Sequence, residues 1–410
     1  MTIRRKDDLL ASQFKKKELV FDESTYHFSS QEKENDFIKL QFESPELYKT
    51  YQEYRYEWHR RSSEMEAGDY PLAVICELVS MCNLRCSMCY TVTPEFQDAI
   101  VGTQRMMPWE TAINLIDECV ELGVYSILFS WRGESTMYKA KDSNGTYHDI
   151  GDIFQYARDK GILEITCLSN GRILNDAMIE KIVKAQPNWI SFSVDGLAED
   201  YNKIRKSERK ESSDPFESVI TNIKKIVEVR DLSGLHRPQI RTNTIYPAIA
   251  KTPKKYKQYM ENIGVGLVTI NEMMDYRGAT MPEDAIMDNW FCQYPFQRLV
   301  VSANGTIMPC PGSHNEEDDL ALGRYIGCLP KKLFKDGKHI EIRYPEINLK
   351  QAWHSEKLKM IRTKHRNNLR KEIQACKHCR HGAKKFGVQW IPQDWDLDDM
   401  VWKGRVWRNY

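Results

Sequence analysis

Three cysteines stand close together in the stretch CELVSMCNLRCSMCYTV, residues 76–92: Cys82, Cys86 and Cys89, spaced Cys-x3-Cys-x2-Cys. A structural zinc site is normally closed by four ligands, commonly supplied as two close pairs. Here there are three thiols and no fourth ligand nearby. A cubane iron–sulfur cluster takes four iron ligands, so three thiolates leave one iron open to a small molecule. The spacing therefore favours a cluster built to bind something. Cys76 lies inside the preceding apolar run and reads as a strand residue.

A second group comprises Cys292, Cys310, Cys376 and Cys379, with Cys328 between them. The segment RLVVSANGTIMPC reads as a hairpin turning at Asn304-Gly305, which would bring Cys292 and Cys310 together. Cys376-x2-Cys379 supplies another pair on a loop. Taken alone, two such pairs suit a zinc ribbon that serves folding only. Cys119, on the apolar face of a helical pattern, and Cys167, inside ILEITCL, read as core, as does Cys328.

The rest of the composition bounds the setting. Eleven cysteines in a chain whose first residues show no apolar signal core point to reduced thiols and metal ligands rather than disulfides. No apolar run approaches the roughly 18 residues of a membrane span, so we expect a cytoplasmic protein without a membrane partner. The 59 basic and 58 acidic side chains nearly cancel, which argues against a nucleic-acid binder.

The elements that must position these thiols are legible from about residue 72. Apolar runs at 72–79, 125–130, 162–168, 189–194, 239–245 and 266–271 read as strands. Amphipathic stretches at 108–122, 150–160, 175–185, 214–229 and 253–263 read as the helices between them. Repeated βα units predict an open, partial (β/α)6 barrel, with chemistry gathered at the C-terminal strand ends. Those ends carry SMCNLRCSMCY, SWRGEST, LSNG and SVDG. The boundaries expected are a polar, Tyr-rich helical extension over 1–71, the barrel over 72–275, a small irregular α+β iron–sulfur domain over 276–385 and a Trp-rich tail over 386–410. The loop MYKAKDSNGTYHD lengthens one rim of the barrel mouth, and the tail reads as a strap packed over its domain.

Cys82, Cys86 and Cys89, followed by Tyr90 on the loop after the first strand, resemble the signature of the radical S-adenosylmethionine (SAM) superfamily. In that family the open iron chelates the amino and carboxylate groups of SAM, and its reductive cleavage yields a 5′-deoxyadenosyl radical that removes hydrogen from an unactivated carbon. Arg132-Gly133-Glu134-Ser135 stands where the family has Gly-Gly-Glu-Pro, departing at its first and last residues. Ser169-Asn170-Gly171 resembles the family's Thr-Asn-Gly, and Ser193-Val194-Asp195-Gly196 its Ser-Ile-Asp-Gly. Arg205 resembles an arginine that lies near the SAM carboxylate. The resemblance thus implies that Tyr90, Gly133, Glu134, Ser135, Ser169, Asn170, Ser193, Asp195 and Arg205 contact SAM. Alone, Asn170-Gly171 is an ordinary turn and Arg205 an ordinary surface charge.

Cys292-x12-Gly305-x4-Cys310 matches the opening of the SPASM-type auxiliary domain, and no cysteine follows Cys379. The resemblance therefore implies one auxiliary [4Fe–4S] cluster on Cys292, Cys310, Cys376 and Cys379, as in the shorter "twitch" form. The expected activity is hydrogen abstraction from a small polar metabolite, sugar- or cyclitol-like, in a dehydrogenation or epimerisation. Such an enzyme draws electrons from an external donor such as flavodoxin or ferredoxin. Radical modification of a peptide is the alternative within enzymes, and a non-catalytic zinc or iron–sulfur interaction protein the alternative outside them. Tyr90, Asp195 and Glu272 are positional candidates for an acid or base.

Overall fold

The computed structural model describes residues 38–86, 89–92, 95–207, 214–249, 251–271, 291–316, 319–377, 379, 395–396 and 401–402. Helix α1 (Pro45–Glu64) starts where Ser44 accepts the Leu47 N–H and Pro45 fills the first turn, and it ends at Met65 in the left-handed region. Its Tyr51, Tyr54 and Trp58 are buried against Leu72, Ala73 and Leu163. This helix thereby covers the N-terminal ends of the strands that begin at Ala73 and after Leu163.

The predicted βα alternation is present in full. Strand β1 (Ala73–Cys76) leads through the cysteine loop and a π-helical segment (Glu95–Val101) to α2 (Trp109–Leu122) and β2 (Ser126–Leu128). The rim insertion forms a small hairpin of β3 (Lys139–Lys141) and β4 (Tyr147–Asp149). Then follow α3 (Ile150–Asp159), β5 (Glu164–Ser169), α4 (Asp176–Ala185), β6 (Trp189–Ser193), α5 (Ala198–Ile204), α6 (Pro215–Leu232), β7 (Gln239–Ile245), α7 (Pro253–Asn262) and β8 (Leu267–Asn271). Strands β1, β2, β5, β6, β7 and β8 pair in parallel in that order. Parallel strands must be joined by crossovers, and the helices supply them. The apolar face of α6, Phe216, Val219, Ile220, Ile223 and Ile226, is buried. Along β7, Ile240, Thr242 and Thr244 are buried while the residues between them are half-buried, so this strand has a helix-packed face and a more open, inward one. Cys76, Cys119 and Cys167 lie in the apolar core.

The second region is joined to the barrel through the sheet itself. After α8 (Tyr294–Gln297), strand β9 (Arg298–Val301) pairs in parallel with β1. Its Leu299, Val300 and Val301 are fully buried, so this apolar run covers the edge that β1 would otherwise expose. The predicted hairpin continues into β10 (Thr306–Met308), with Gly305 at φ +86°. A side chain at Gly305 would collide with Cys328, which is itself buried. Strands β11 (Gly323–Tyr325) and β14 (Glu346–Ile347) complete a ten-stranded sheet, order β14-β11-β10-β9-β1-β2-β5-β6-β7-β8. A separate hairpin of β12 (Lys331–Lys335) and β13 (Lys338–Ile342) precedes α9 (Leu349–Trp353), α10 (Glu356–Arg366) and α11 (Gln374–Lys377). Of the Trp-rich tail, only the pair Trp395–Asp396 and Val401–Trp402 is described, so the strap reading lies outside the described residues. Among the described residues no helix is long and apolar enough to cross a membrane.

A buried ion network fastens the two regions. The Arg132 guanidinium donates to both oxygens of Glu77 at 2.8 and 2.7 Å and to Glu316 at 2.6 Å. Lys331 also donates to Glu316, and the side chains of Glu77, Arg132 and Glu316 are fully buried. Ala303 N–H and the Asn304 amide, from the β9–β10 turn, donate to Glu77 and Glu316 respectively. Burial alone would raise the Glu316 carboxyl, but Arg132 and Lys331 bring it down to about 2. Its folded value is below its unfolded one, so its stabilisation is present above the ordinary carboxylate range and is lost as pH falls from about 4.5 toward about 2. Replacing Arg132 with Ala strands two buried carboxylates and should lower the free energy of unfolding by about 3–5 kcal/mol, read from urea denaturation at neutral pH. A loss below about 1 kcal/mol would show that the network does not join the two regions.

Candidate functional site

The cysteine loop leaves β1 at the C-terminal end of the sheet and is tied to the segment after α5. The Arg85 N–H donates to Lys206 O at 2.6 Å, and Leu84 forms a bridge with Ser207. Cys86 is buried, while Cys82 and Cys89 are half-buried. The Cys82 sulfur faces the Leu84 N–H at 3.4 Å and the Asn170 amide at 3.8 Å. Cys89 Sγ lies 2.9 Å from the Thr91 hydroxyl. Burial, with Glu134 adding to it, pushes the Cys82 thiol up to about 12, where the charges of Cys86 and Cys89 are also felt. Burial raises the Cys86 thiol too, against the pull of Arg205. Left to themselves, these two groups would stay protonated at neutral pH. Binding iron must displace the protons, and the donors aimed at Cys82 suit the thiolate that results. Among the described residues no three His, Cys, Asp or Glu side chains are arranged to hold a single metal ion.

The neighbouring strand ends close on this loop. Gly133 passes so near the chain of residues 79–81 that a side chain there would collide with the carbonyl oxygens of Val79 and Met81. The Glu134 N–H donates to Met81 O at 2.8 Å. The Glu134 carboxylate accepts from the Thr136 N–H and hydroxyl, the Ser169 hydroxyl at 2.7 Å and the Asn170 N–H at 2.6 Å. Asn170 in turn donates to Asn83 at 2.8 Å. Asp195, 1% exposed, accepts from Arg205 Nε at 2.6 Å and from the Ile245 N–H at 3.0 Å. Arg205, so fixed, lies beside Cys86, and this pairing holds its charge firmly despite burial. Ser135 is buried at the start of a short 3₁₀ turn, and Ser193 pairs in register with Asn243. The residues singled out in the sequence thus converge on one edge of the sheet. Glu272 lies outside the described residues.

Tyr90 leads to residues that the sequence did not reveal. Its hydroxyl lies 2.8 Å from His314 Nδ1, and its ring meets Phe96 edge-on. The His314 ring stacks on Trp131, whose Nε1–H donates to Pro311 O at 2.8 Å. One aromatic bridge therefore runs from the residue after Cys89 to the residue after Cys310. Nothing in local spacing marks His314, which is brought to Tyr90 from 224 positions away by the pairing of β9 with β1.

The second cysteine group forms beside α10. Burial raises the Cys376 thiol well above its ordinary range, and Cys379 and Cys292 raise it further; the Cys379 N–H donates to Cys376 O at 3.3 Å, and His365 touches both Cys376 and Cys292. Arg370 donates to the carbonyls of Cys376 and Cys379 at 2.8 and 3.2 Å. His365, buried, accepts the Cys292 N–H through Nδ1. Cys310 follows β10 by two residues and packs against the core. Cys328 lies elsewhere, under the Gly305 turn, with burial raising its thiol to about 11.

Gly133→Ala should cost about 1–3 kcal/mol from overpacking, because the atoms in the way are backbone carbonyls that cannot rotate aside. The same variant should also lose iron on anaerobic reconstitution, since the crowded segment is the approach to Cys82. Wild-type thermal stability together with wild-type iron content would refute the close approach.

Comparison with known proteins gives two matches to family models. Residues 77–237 match the radical SAM superfamily, and residues 292–380 match SPASM, described as an iron–sulfur cluster-binding domain. Among curated proteins, the tungsten-containing aldehyde ferredoxin oxidoreductase cofactor-modifying protein of Pyrococcus furiosus is 23% identical over 207 residues, 48% of this chain. The alignment spans half the length of that relative. Among solved structures, Streptococcus suis SuiB bound to S-adenosylmethionine aligns at a TM-score of 0.48 and 13% identity, over 83% of this chain and 77% of that one. BtrN in complex with AdoMet and 2-DOIA aligns at 0.43 and 13%, over 75% of this chain and 92% of that one. The two family matches together take in more than half of the chain, and each falls on one of the cysteine groups. The protein belongs to the radical SAM superfamily, with a partial barrel for a [4Fe–4S] cluster and SAM and a C-terminal SPASM domain for auxiliary iron–sulfur chemistry.

Proposed function

We propose that this radical SAM enzyme abstracts hydrogen from a C–H bond of a small, polar, sugar- or cyclitol-like metabolite, in a net dehydrogenation or an epimerisation. Cys82, Cys86 and Cys89 are the ligands of the catalytic cluster in this reading. Cys292, Cys310, Cys376 and Cys379 are those of an auxiliary cluster that carries electrons, and an external donor such as flavodoxin or ferredoxin supplies the reductant. The bound cluster and SAM supply the radical chemistry, and the protein supplies position and shelter.

Each wall of the proposed SAM site has a stated task. Gly133 lets the strand-two turn lie against the cysteine loop. Glu134, with its oxygens taken by protein donors, fixes Ser169 and Asn170 rather than reaching out by itself. Asp195 is engaged by Arg205 and is placed to hold that guanidinium near the cluster, not to take a proton. Ser135, Ser193 and Tyr90 complete the set of SAM contacts that we assign.

The observation that carries the substrate class is the inward face of β6, β7 and β8. Ser191 and Arg241 stand opposite one another, and Ser193, Asn243 and Thr269 form one transverse row. Arg241 Nε donates to Thr269 Oγ1 at 2.7 Å, and the buried Asn243 Oδ1 has no hydrogen-bond partner among the described residues. A buried polar atom without a partner is costly, and a hydroxyl-bearing ligand would satisfy it. Such a lining suits a polyol better than an apolar side chain.

Anaerobic reconstitution should load roughly eight irons per chain, as two cysteine-held cubanes require. Cys376→Ala should reduce this to about four, whereas Cys328→Ala should leave it unchanged. Under reduction, SAM should yield 5′-deoxyadenosine, at least tenfold faster with an accepted polyol or amino-cyclitol than without, and Asn243→Leu should remove that stimulation. Stimulation by a peptide and by no polyol would overturn the substrate class while leaving the SAM chemistry in place.

A further inference from the structure

His365 is the penultimate residue of α10 and is 1% exposed. Its ring is engaged from both sides. Nδ1 accepts the backbone N–H of Cys292 at 3.2 Å, and Nε2 lies 3.8 Å from the sulfur of Cys376. A backbone amide can only donate, so Nδ1 holds a lone pair and no proton. The imidazolium form is excluded on the same ground, because both of its nitrogens carry protons. In the neutral ring the single proton must then sit on Nε2, the nitrogen that faces Cys376. A protonated ring nitrogen has no lone pair for iron, whereas its N–H can donate to a thiolate.

We propose that His365 donates a hydrogen bond from Nε2 to the thiolate of Cys376 and thereby raises the reduction potential of the auxiliary cluster. The inference rests on the reading of Cys376 as a ligand of that cluster. Hydrogen bonds to ligand sulfurs are among the determinants of cluster potential. Adding an electron makes the sulfurs more negative, so a donor at Cys376 stabilises the reduced state more than the oxidised one. The same ring also fixes the backbone at Cys292, so two segments 84 positions apart in the chain are oriented by one side chain. His365 is therefore a positioning residue, acting on the cluster through its ligands.

The experiment uses the full chain with Cys82, Cys86 and Cys89 replaced by Ala, so that only the auxiliary cluster is loaded, and follows a redox titration by electron paramagnetic resonance. In this background His365→Phe and His365→Leu remove the donor, and His365→Gln retains an N–H. The bond exists in both states and is stronger in the reduced one, so its loss should lower the reduced-to-oxidised ratio at a fixed potential by as much as about tenfold. For a one-electron couple that fall reads as a shift of up to about 59 mV to more negative potential. We expect this shift in the Phe and Leu variants, a smaller one in the Gln variant, and the parent iron content in all three. A potential that does not move in either donor-free variant overturns the proposal. Loss of iron in all three variants also overturns it, by making the ring a ligand or a scaffold rather than a donor. If Cys376→Ala keeps its full iron content, the ligand assignment itself fails, and that result is independent of what the His365 variants do.

Discussion

Two buried carboxylates, Glu77 and Glu316, have Arg132 between them, and much of the molecule is arranged to make that arrangement tolerable. Charges taken out of water are stable only when nearly every hydrogen-bonding site is used. The guanidinium is accordingly shared between them, Lys331 and the turn at 303–304 supply the remaining donors, and the ring of Trp131 lies 4.0 Å from the Arg132 guanidinium carbon. Glu77 follows β1, Arg132 follows β2, and Glu316 belongs to the second domain. Meeting this electrostatic demand sets the two strand ends and the auxiliary hairpin in fixed relation. The cysteine loop and the Gly133 turn inherit their geometry from it.

The barrel was readable because each of its elements is a local pattern. The six apolar runs became strands within a few residues of their expected ends, and the amphipathic stretch at 214–229 became α6. Turn chemistry was equally local, since Asn304-Gly305 announced the β9–β10 hairpin. What escaped depends on contacts between distant segments. The parallel pairing of Arg298–Val301 with β1 has no signature within either segment, because a fully buried apolar strand looks the same whichever neighbour it takes. Arg132 stood out only as a departure from a family motif, and the charges that explain it lie 55 and 184 positions away. His314 and His365 were invisible for the same reason.

The eleven cysteines illustrate how environment divides one residue type into separate roles. Cys76, Cys119 and Cys167 sit among aliphatic side chains in the core. Cys82 and Cys376 are also raised by burial, yet each is met by donors, from Asn170 and the Leu84 N–H in one case and from His365 in the other. A thiol in a dry apolar setting has no reason to ionise, whereas one supplied with donors is prepared for the anionic form that iron requires. Spacing separated the first group from the core cysteines, and the hydrogen bonds give that separation a physical basis.

The pairing of β9 with β1 also sets a timetable. More than 200 residues separate the two strands in the chain. At synthesis rates of about 5–20 residues per second, β1 leaves the ribosome roughly ten to forty seconds before its neighbour exists. Through that interval its apolar edge is open to any other nascent strand. The SPASM domain is therefore more than a holder of a second cluster: it delivers the strand that ends the exposure of β1 during birth.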